Sequence, residues 1–400
     1  MIRLFAALPI PAEIGQALAR RQTGVEGARW RPLDSLHVTL RFFGEVREDI
    51  ARDLIRYVRD TRPDVVHFHH VIGLGLEAIF AIREAVPDAR LLVTFHEYLS
   101  ICHHHGQMVK RPGAGLCVRS SPNDCHQCFP EIAPAQFLRR ERFIRAMLEL
   151  CDHYVAPSAF LAERYVDWGL PRERMTVIEN GLDIAAAAPA RALVTPGARR
   201  SRFAFFGQMI DFKGVDILLE AVTRVPADLW GDDASVAIFG GHLERGSAEY
   251  RARIAALMQR AGGRARLHGA YRNADMPRLM QLADWVVVPS TWWENSPVVI
   301  QEAFFHGRPV IASNIGGMAE KVTDRVNGLH FRARSAEDLA DRLVEALTDA
   351  TLWERLRNGI QRPMTHVECA RAHLDLYRTL LEGRPLAPGL PAERDAVSIA

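Results

Sequence analysis

Thr291-Trp-Trp-Glu-Asn-Ser-Pro-Val-Val-Ile-Gln-Glu-Ala-Phe-Phe-His-Gly-Arg-Pro-Val-Ile311 decides how this chain folds. Ahead of it runs Asp284-Trp-Val-Val-Val-Pro-Ser290, continuous, β-branched and apolar, as a strand buried on both faces requires. Ser296-Pro297 then reads as a helix start, with Ser at the N-cap and Pro at the first helical position, and Gly307 reads as the stop. Glu294 is therefore expected in the loop at the carboxyl end of a strand, and Glu302 within the next helix. Open α/β sheets hold ligands in that crevice, and the helix N-terminus there favours an anion such as a phosphate.

Outward from this stretch, the C-terminal half alternates short apolar runs with amphipathic segments. The runs are Phe203–Phe206, Ser235–Phe239, Arg264–His268, Trp285–Val288, Pro309–Ala312 and Gly328–Phe331. Helical patterns lie between them, among them Val215–Val222, Met276–Ala283 and Ala336–Leu347, the last behind a capping box, Ser335-x-x-Asp338. Such alternation predicts a parallel, doubly wound sheet over 201–365. After its first strand comes Gly207-Gln-Met-Ile-Asp-Phe-Lys-Gly214, where glycines admit a close-lying phosphate and Lys213 supplies a point charge. Further upstream, Pro63–His70 and Leu91–Tyr98 read as strands that end in histidines, with His67, His69 and His70 expected to pack in a loop. Met175–Asp183 reads as a strand ending in Asn-Gly, and the Ala-, Pro- and Arg-rich segment from Ile184 to Arg200 as a linker.

Glu-x7-Glu, followed by Gly307-Arg-Pro-Val-Ile-Ala-Ser313 and Gly316-Gly-Met-Ala-Glu320, closely resembles the retaining GT-B glycosyltransferases of the family 4 type. The resemblance runs from about Asp60 to Gly383. It implies a nucleoside diphosphate sugar as donor and an acceptor that is a glycan, a lipid or a small molecule. By resemblance Glu294 lies by the donor sugar, Glu302 takes the ribose hydroxyls, and His96 faces the reacting centre from the other lobe. Gly207, Gln208 and Lys213 fall in the pyrophosphate-binding loop, and Asn295, Ser296, Pro297 and Val298 form the helix start over the donor. The family has Arg where this chain has Gln208, which removes one positive charge from the leaving group's surroundings. His268-Gly-Ala-Tyr271 matches the segment near the nucleotide base, and Asn180-Gly-Leu-Asp183 the crossing between lobes. The chain contains no Asp-x-Asp triplet, so a metal-bridged diphosphate is not expected and no cofactor beyond the donor is called for.

Residues 1–50 read differently. Arg3–Pro11 and Ala28–Glu45 resemble the opening of a 2H phosphoesterase of the RNA 2′,3′-cyclic phosphodiesterase type. That chemistry needs two His-x-Thr/Ser motifs, one His as base and one as acid. Among sixteen His only His37-Val-Thr39 qualifies, so cyclic-phosphate hydrolysis is not expected. The expected fold is α/β, with two Rossmann-like doubly wound GT-B domains, the N-terminal one incomplete and preceded by this partial α+β segment, as in a gene fusion. The expected divisions are 56–184 for the acceptor-side lobe, 201–365 for the nucleotide-sugar lobe, 366–383 for a C-terminal helix and 384–400 for a tail. An incomplete first lobe leaves two rivals to turnover: a non-catalytic nucleotide-sugar binder, and a fusion product that folds poorly.

The bulk properties fit a globular enzyme. Hydrophobic residues are 48% and charged residues 24%. A net charge of +2 gives no reason to expect nucleic acid, and no apolar run reaches membrane-spanning length. The N-terminus breaks at a proline and makes a poor signal peptide, so a cytoplasmic enzyme, in solution or at the inner membrane face, is the expectation. Cys102, Cys117, Cys125 and Cys128 lie close together among His103, His104, His105 and His126, and Cys125-x2-Cys128 has zinc-like spacing. The other reading of these four is an acceptor-side loop with reduced thiols. Cys151 and Cys369 read as single buried residues.

Overall fold

The computed structural model describes residues 48–70, 75–113, 115–183, 186–193 and 199–385. The His37-Val-Thr39 segment and the end of the tail lie outside the described residues. The first lobe runs α1 (Glu48–Thr61), β1 (Val65–Phe68), α2 (Glu77–Ala85), β2 (Arg90–Thr94), α3 (Pro122–Cys128), α4 (Pro134–Glu149), β3 (His153–Ala156), α5 (Ala159–Asp167) and β4 (Met175–Val177). Its four strands pair in parallel in the order β1-β2-β3-β4. The second lobe runs β5 (Arg202–Phe206), α6 (Val215–Arg224), β6 (Ser235–Phe239), α7 (Ala248–Ala261), β7 (Ala265–Gly269), α8 (Met276–Met280), β8 (Trp285–Val288), α9 (Val298–Phe305), β9 (Val310–Ser313), α10 (Gly316–Lys321), β10 (Gly328–Phe331), α11 (Ala336–Thr348) and α12 (Leu352–Asn358). A last helix, α13 (His366–Leu381), returns to the first lobe.

The second sheet has the order β10-β9-β8-β5-β6-β7, all parallel. From β5 the chain winds one way through β6 and β7, then crosses back to β8 and winds the other way. The direction reverses between β5 and β8, and the crevice at their carboxyl ends is the ligand position of a doubly wound sheet. Burial on both faces explains the uninterrupted apolar strands. Phe203, Phe205, Trp285, Val287 and Ile311 point into one core, while Ala204, Phe206, Val286, Val288 and Ala312 point into the other.

The structure corrects several local expectations. Helix α9 begins at Val298, with Pro297 in extended conformation at the N-cap position. Ser296 does not cap it; its Oγ donates to Glu179 Oε1 across the lobes at 2.6 Å. A hydroxyl that has a carboxylate partner is not free for the helix amides. His67 lies on β1 rather than in a loop, bonded through Nδ1 to the Tyr377 hydroxyl at 2.6 Å and through Nε2 to Thr94 Oγ1 at 2.7 Å. The described part of the 184–200 segment, expected as a linker, is anchored on the second lobe. Ala188 N donates to His306 Nδ1 at 2.8 Å, fully buried Arg308 donates to Ala188 O at 2.7 Å, and Arg191 pairs with buried Asp284 at 2.7 Å.

Helix α13 packs Cys369 and Leu376 against Leu92, Val155 and Ile178 of the first lobe. The two chain crossings between lobes lie side by side. Leu182 N donates to Met364 O at 3.0 Å, and His366 N donates to Leu182 O at 3.1 Å.

Candidate active site

Two loops meet at the β5/β8 switch point. The 207–214 loop follows β5 and ends in Gly214, whose φ of +68° is left-handed and where a Cβ would lie 1.9 Å from Pro289 O. The contact is close enough for Thr291 N to donate to Phe212 O at 2.8 Å. Lys213, in a short 3₁₀ turn, thereby reaches the loop after β8, and its Nζ lies 2.6 Å from Glu294 Oε1.

The same Glu294 oxygen accepts from Ser290 Oγ at 2.8 Å and Trp292 Nε1 at 2.9 Å. Trp292 stacks on Phe212 with ring centres 5.7 Å apart, and Lys213 Nζ stands 5.8 Å from the Trp292 ring centre. Burial pushes the Glu294 carboxyl up, but the Lys213 charge and the three donors outweigh it, so its pKa falls below the ordinary value. Glu294 is thus a buried, fixed carboxylate.

Glu302, one helix on, is the opposite case. Burial alone acts on it and raises its pKa to about 7. The two carboxyls are thereby set to different protonation behaviour.

Across the crevice, His96 follows β2. Asn295 Nδ2 donates to its carbonyl, and the Asn295 side-chain oxygen accepts from Ser296 N. The His96 ring stacks on His69 at 5.8 Å, and burial followed by the neighbouring His70 and His373 lowers its pKa to about 4. At neutral pH it is an uncharged imidazole. Gly207 holds the loop down by donating to Phe239 O at 3.1 Å, and Gln208 is exposed. Gly317 N donates to Glu294 O at 2.7 Å, and a Cβ there would lie 2.0 Å from Asn295 O. This close approach explains the Gly316-Gly317 pair.

These residues sit in a chain with clear relatives. The description "Glycosyltransferase Family 4" matches residues 15–186, and "Glycosyl transferases group 1" matches 200–349. The first match begins well before Asp60, inside the stretch that resembles a 2H phosphoesterase. The D-inositol 3-phosphate glycosyltransferase of Kribbella flavida is 30% identical over 341 residues, which cover 80% of this chain and 72% of that one. This chain belongs to the family 4 glycosyltransferases.

A second relative of the same description, from Nocardia farcinica, is 31% identical over 81% of this chain and 66% of its own. Among solved structures, a glycosyltransferase from Rickettsia africae superposes with a TM-score of 0.61 at 17% identity, covering 88% of this chain and 86% of that one. Anabaena HepE in complex with UDP gives 0.60 at 19% identity over 83% and 82%. These likenesses establish the GT-B fold of this glycosyltransferase.

Within this glycosyltransferase the structure gives roles to residues for which the sequence suggests none. Ser290 and Trp292 hold Glu294, and both stand within four positions of it. Trp293 Nε1 donates to Cys117 O in the first lobe at 2.9 Å and packs on Phe160. Glu320 caps α5 across the lobes, accepting from Ala159 N at 2.9 Å and Phe160 N at 2.6 Å. Lys321 pairs with Glu179 at the crossing. Chain separation hides these last pairings; no short motif contains both partners. His268, matched to the base-proximal segment, stacks on Phe239 at 4.6 Å.

Proposed function

We propose that this glycosyltransferase takes its sugar from a nucleoside diphosphate donor bound at the β5/β8 crevice and passes it, with retention, to a hydroxyl of a phosphorylated polyol. One observation carries the donor site: Lys213 and Glu294 form a partly buried ion pair where the sheet reverses direction, while Glu302 on the adjoining helix has no charged partner among the described residues. In this reading Lys213 leaves Glu294 for the diphosphate and offsets the charge that develops as it departs. Glu294, kept ionised by Ser290 and Trp292 as well, accepts from hydroxyls of the donor sugar. Glu302 accepts from the ribose hydroxyls, and neutral His96 contacts the sugar from the first lobe. Gly207 and the 295–298 helix start line the diphosphate, and Gln208 leaves that position uncharged. The proposal needs neither a metal bridge nor a cofactor.

The donor base is suggested by HepE, which was solved with UDP and with UDP-glucose. The acceptor class is suggested by the relatives described as D-inositol 3-phosphate glycosyltransferases. Calorimetric titration with UDP-, GDP- and ADP-sugars, followed by transfer assays on inositol phosphates, tests it. Binding and turnover of at least one donor are expected, and the product's anomeric coupling constant reads the stereochemistry. If Glu294→Gln and Lys213→Ala leave turnover intact, the site assignment is wrong.

A further inference from the structure

We propose that Cys102, Cys117, Cys125 and Cys128 bind one structural zinc ion, which fixes the first-lobe loop that Trp293 of the second lobe contacts. The loop between β2 and α4 brings the four together from three local structures. Cys102 lies in the turns after β2. Cys117 follows the return leg of a small hairpin in which Val109 bridges Leu116, and its own N–H donates to Met108 O at 2.8 Å. Cys125 and Cys128 stand one turn apart on α3. All four side chains line a single small cavity, with His104, Lys110 and Phe129 among the other lining residues.

Three further facts favour a metal over an ordinary loop. First, among the described residues between 102 and 128 only Met108 and Val109 are buried hydrophobic residues, so this long excursion has almost no core of its own. Long loops of this kind need a staple. Second, all four thiols are unpaired with one another as disulfides, and each is half-buried. Third, the surroundings suit a doubly negative tetrathiolate. Lys110 lines the cavity, Arg140 is electrostatically coupled to Cys102 and Cys125, and Arg111 N lies 3.4 Å from Cys128 Sγ as an amide donor.

Among the described residues no group of three or more His, Cys, Asp or Glu stands close enough together to hold a metal ion as placed, so binding requires the four thiols to move together. The four cysteines line one cavity, Cys117 Sγ there donating to Arg119 O at 3.3 Å, and binding turns the four side chains in on the ion. Binding forms four Zn–S bonds and releases four thiol protons, with no change of oxidation state. The ion's consequence lies in the next contact: Cys117 O is the acceptor for Trp293 Nε1, next to Glu294.

Metal analysis of the chain purified without chelator is expected to give one zinc per chain, lost in Cys125→Ser and retained in Cys151→Ser. If the Cys125 variant does not fold, wild-type protein stripped by chelator and titrated with cobalt chloride serves instead. One equivalent is expected to give the thiolate charge-transfer and tetrahedral ligand-field bands, with recovery of a lowered Tm. Substoichiometric zinc with no cobalt spectrum overturns the proposal, as does a disulfide among the four in non-reducing peptide mass spectra. None of these readouts depends on donor binding, so the donor site stands or falls separately.

Discussion

Glu294 and Glu302 differ in what a substitution should do. Lys213→Ala leaves Glu294 buried with two neutral donors only, so stability is expected to fall by about 1–3 kcal/mol. The Kd for a nucleoside diphosphate is expected to weaken about tenfold or more. Glu294→Gln keeps the shape and should leave that Kd within a few-fold, while transfer falls by about 10²-fold or more. Equal losses in binding and transfer would remove the sugar-orienting role. For Glu302 the folded pKa of about 7 lies above the ordinary 4.5, so the folded carboxyl keeps its proton while the unfolded chain releases one. Its burial therefore costs stability progressively as pH rises from about 4.5 to about 7, and by a constant amount above that. Glu302→Gln should raise Tm at pH 8 and leave it unchanged at pH 4. The same variant should weaken donor binding more at pH 8 than at pH 6, because only the ionised carboxylate accepts both ribose hydroxyls.

At the scale of elements, the loop after β5 depends on a backbone that only glycine tolerates. Gly214→Ala places a methyl against Pro289 O in a left-handed conformation. It should cost about 1–3 kcal/mol and displace Lys213, seen as a lowered denaturation midpoint together with weaker diphosphate binding. A variant of wild-type stability would mean that the two loops are not pressed together. Elements of this kind were legible in the chain where one residue type has one use. Val286-Val287-Val288 announces a strand covered on both faces, and Gly307, at φ +67°, ends its helix as expected. The start of that helix was misplaced by one position because Ser-Pro is a local signal, and the Ser296 hydroxyl is claimed by Glu179 from another lobe. The Lys213–Glu294 pair was legible as two separate motifs but not as an ion pair. Nothing between positions 213 and 294 records that Gly214 brings their loops into contact. Glu320 appeared as part of a helix motif, whereas its carboxylate serves α5.

On the scale of the molecule, the first lobe carries a set of crowded imidazoles. His67, His69, His96 and His373 form four ring contacts with centres 4.3 to 6.1 Å apart, beside Tyr377, Thr94 and the His70–Glu97 pair. Burial, then repulsion from neighbouring imidazoles, lowers His69 to about 3 and His96 to about 4 and lowers His67 as well, while burial alone lowers His373. Between those values and 6.5 the unfolded chain binds more protons than the folded one, so stability is present above about pH 6.5 and lost as pH falls towards 4. Glu97 and Glu302, both raised to about 7, act in the opposite direction, so the test is a difference. His69→Gln should flatten the fall of Tm between pH 6.5 and 4.5; an unchanged slope would discharge the cluster from acid sensitivity. The lobes themselves meet through paired crossings, Leu182 with Met364 and His366. Two strands of chain fastened side by side act as the leaves of one knuckle joint. Any opening of the crevice must bend both together, about an axis through that seam, and cutting one crossing would free the other to bend alone.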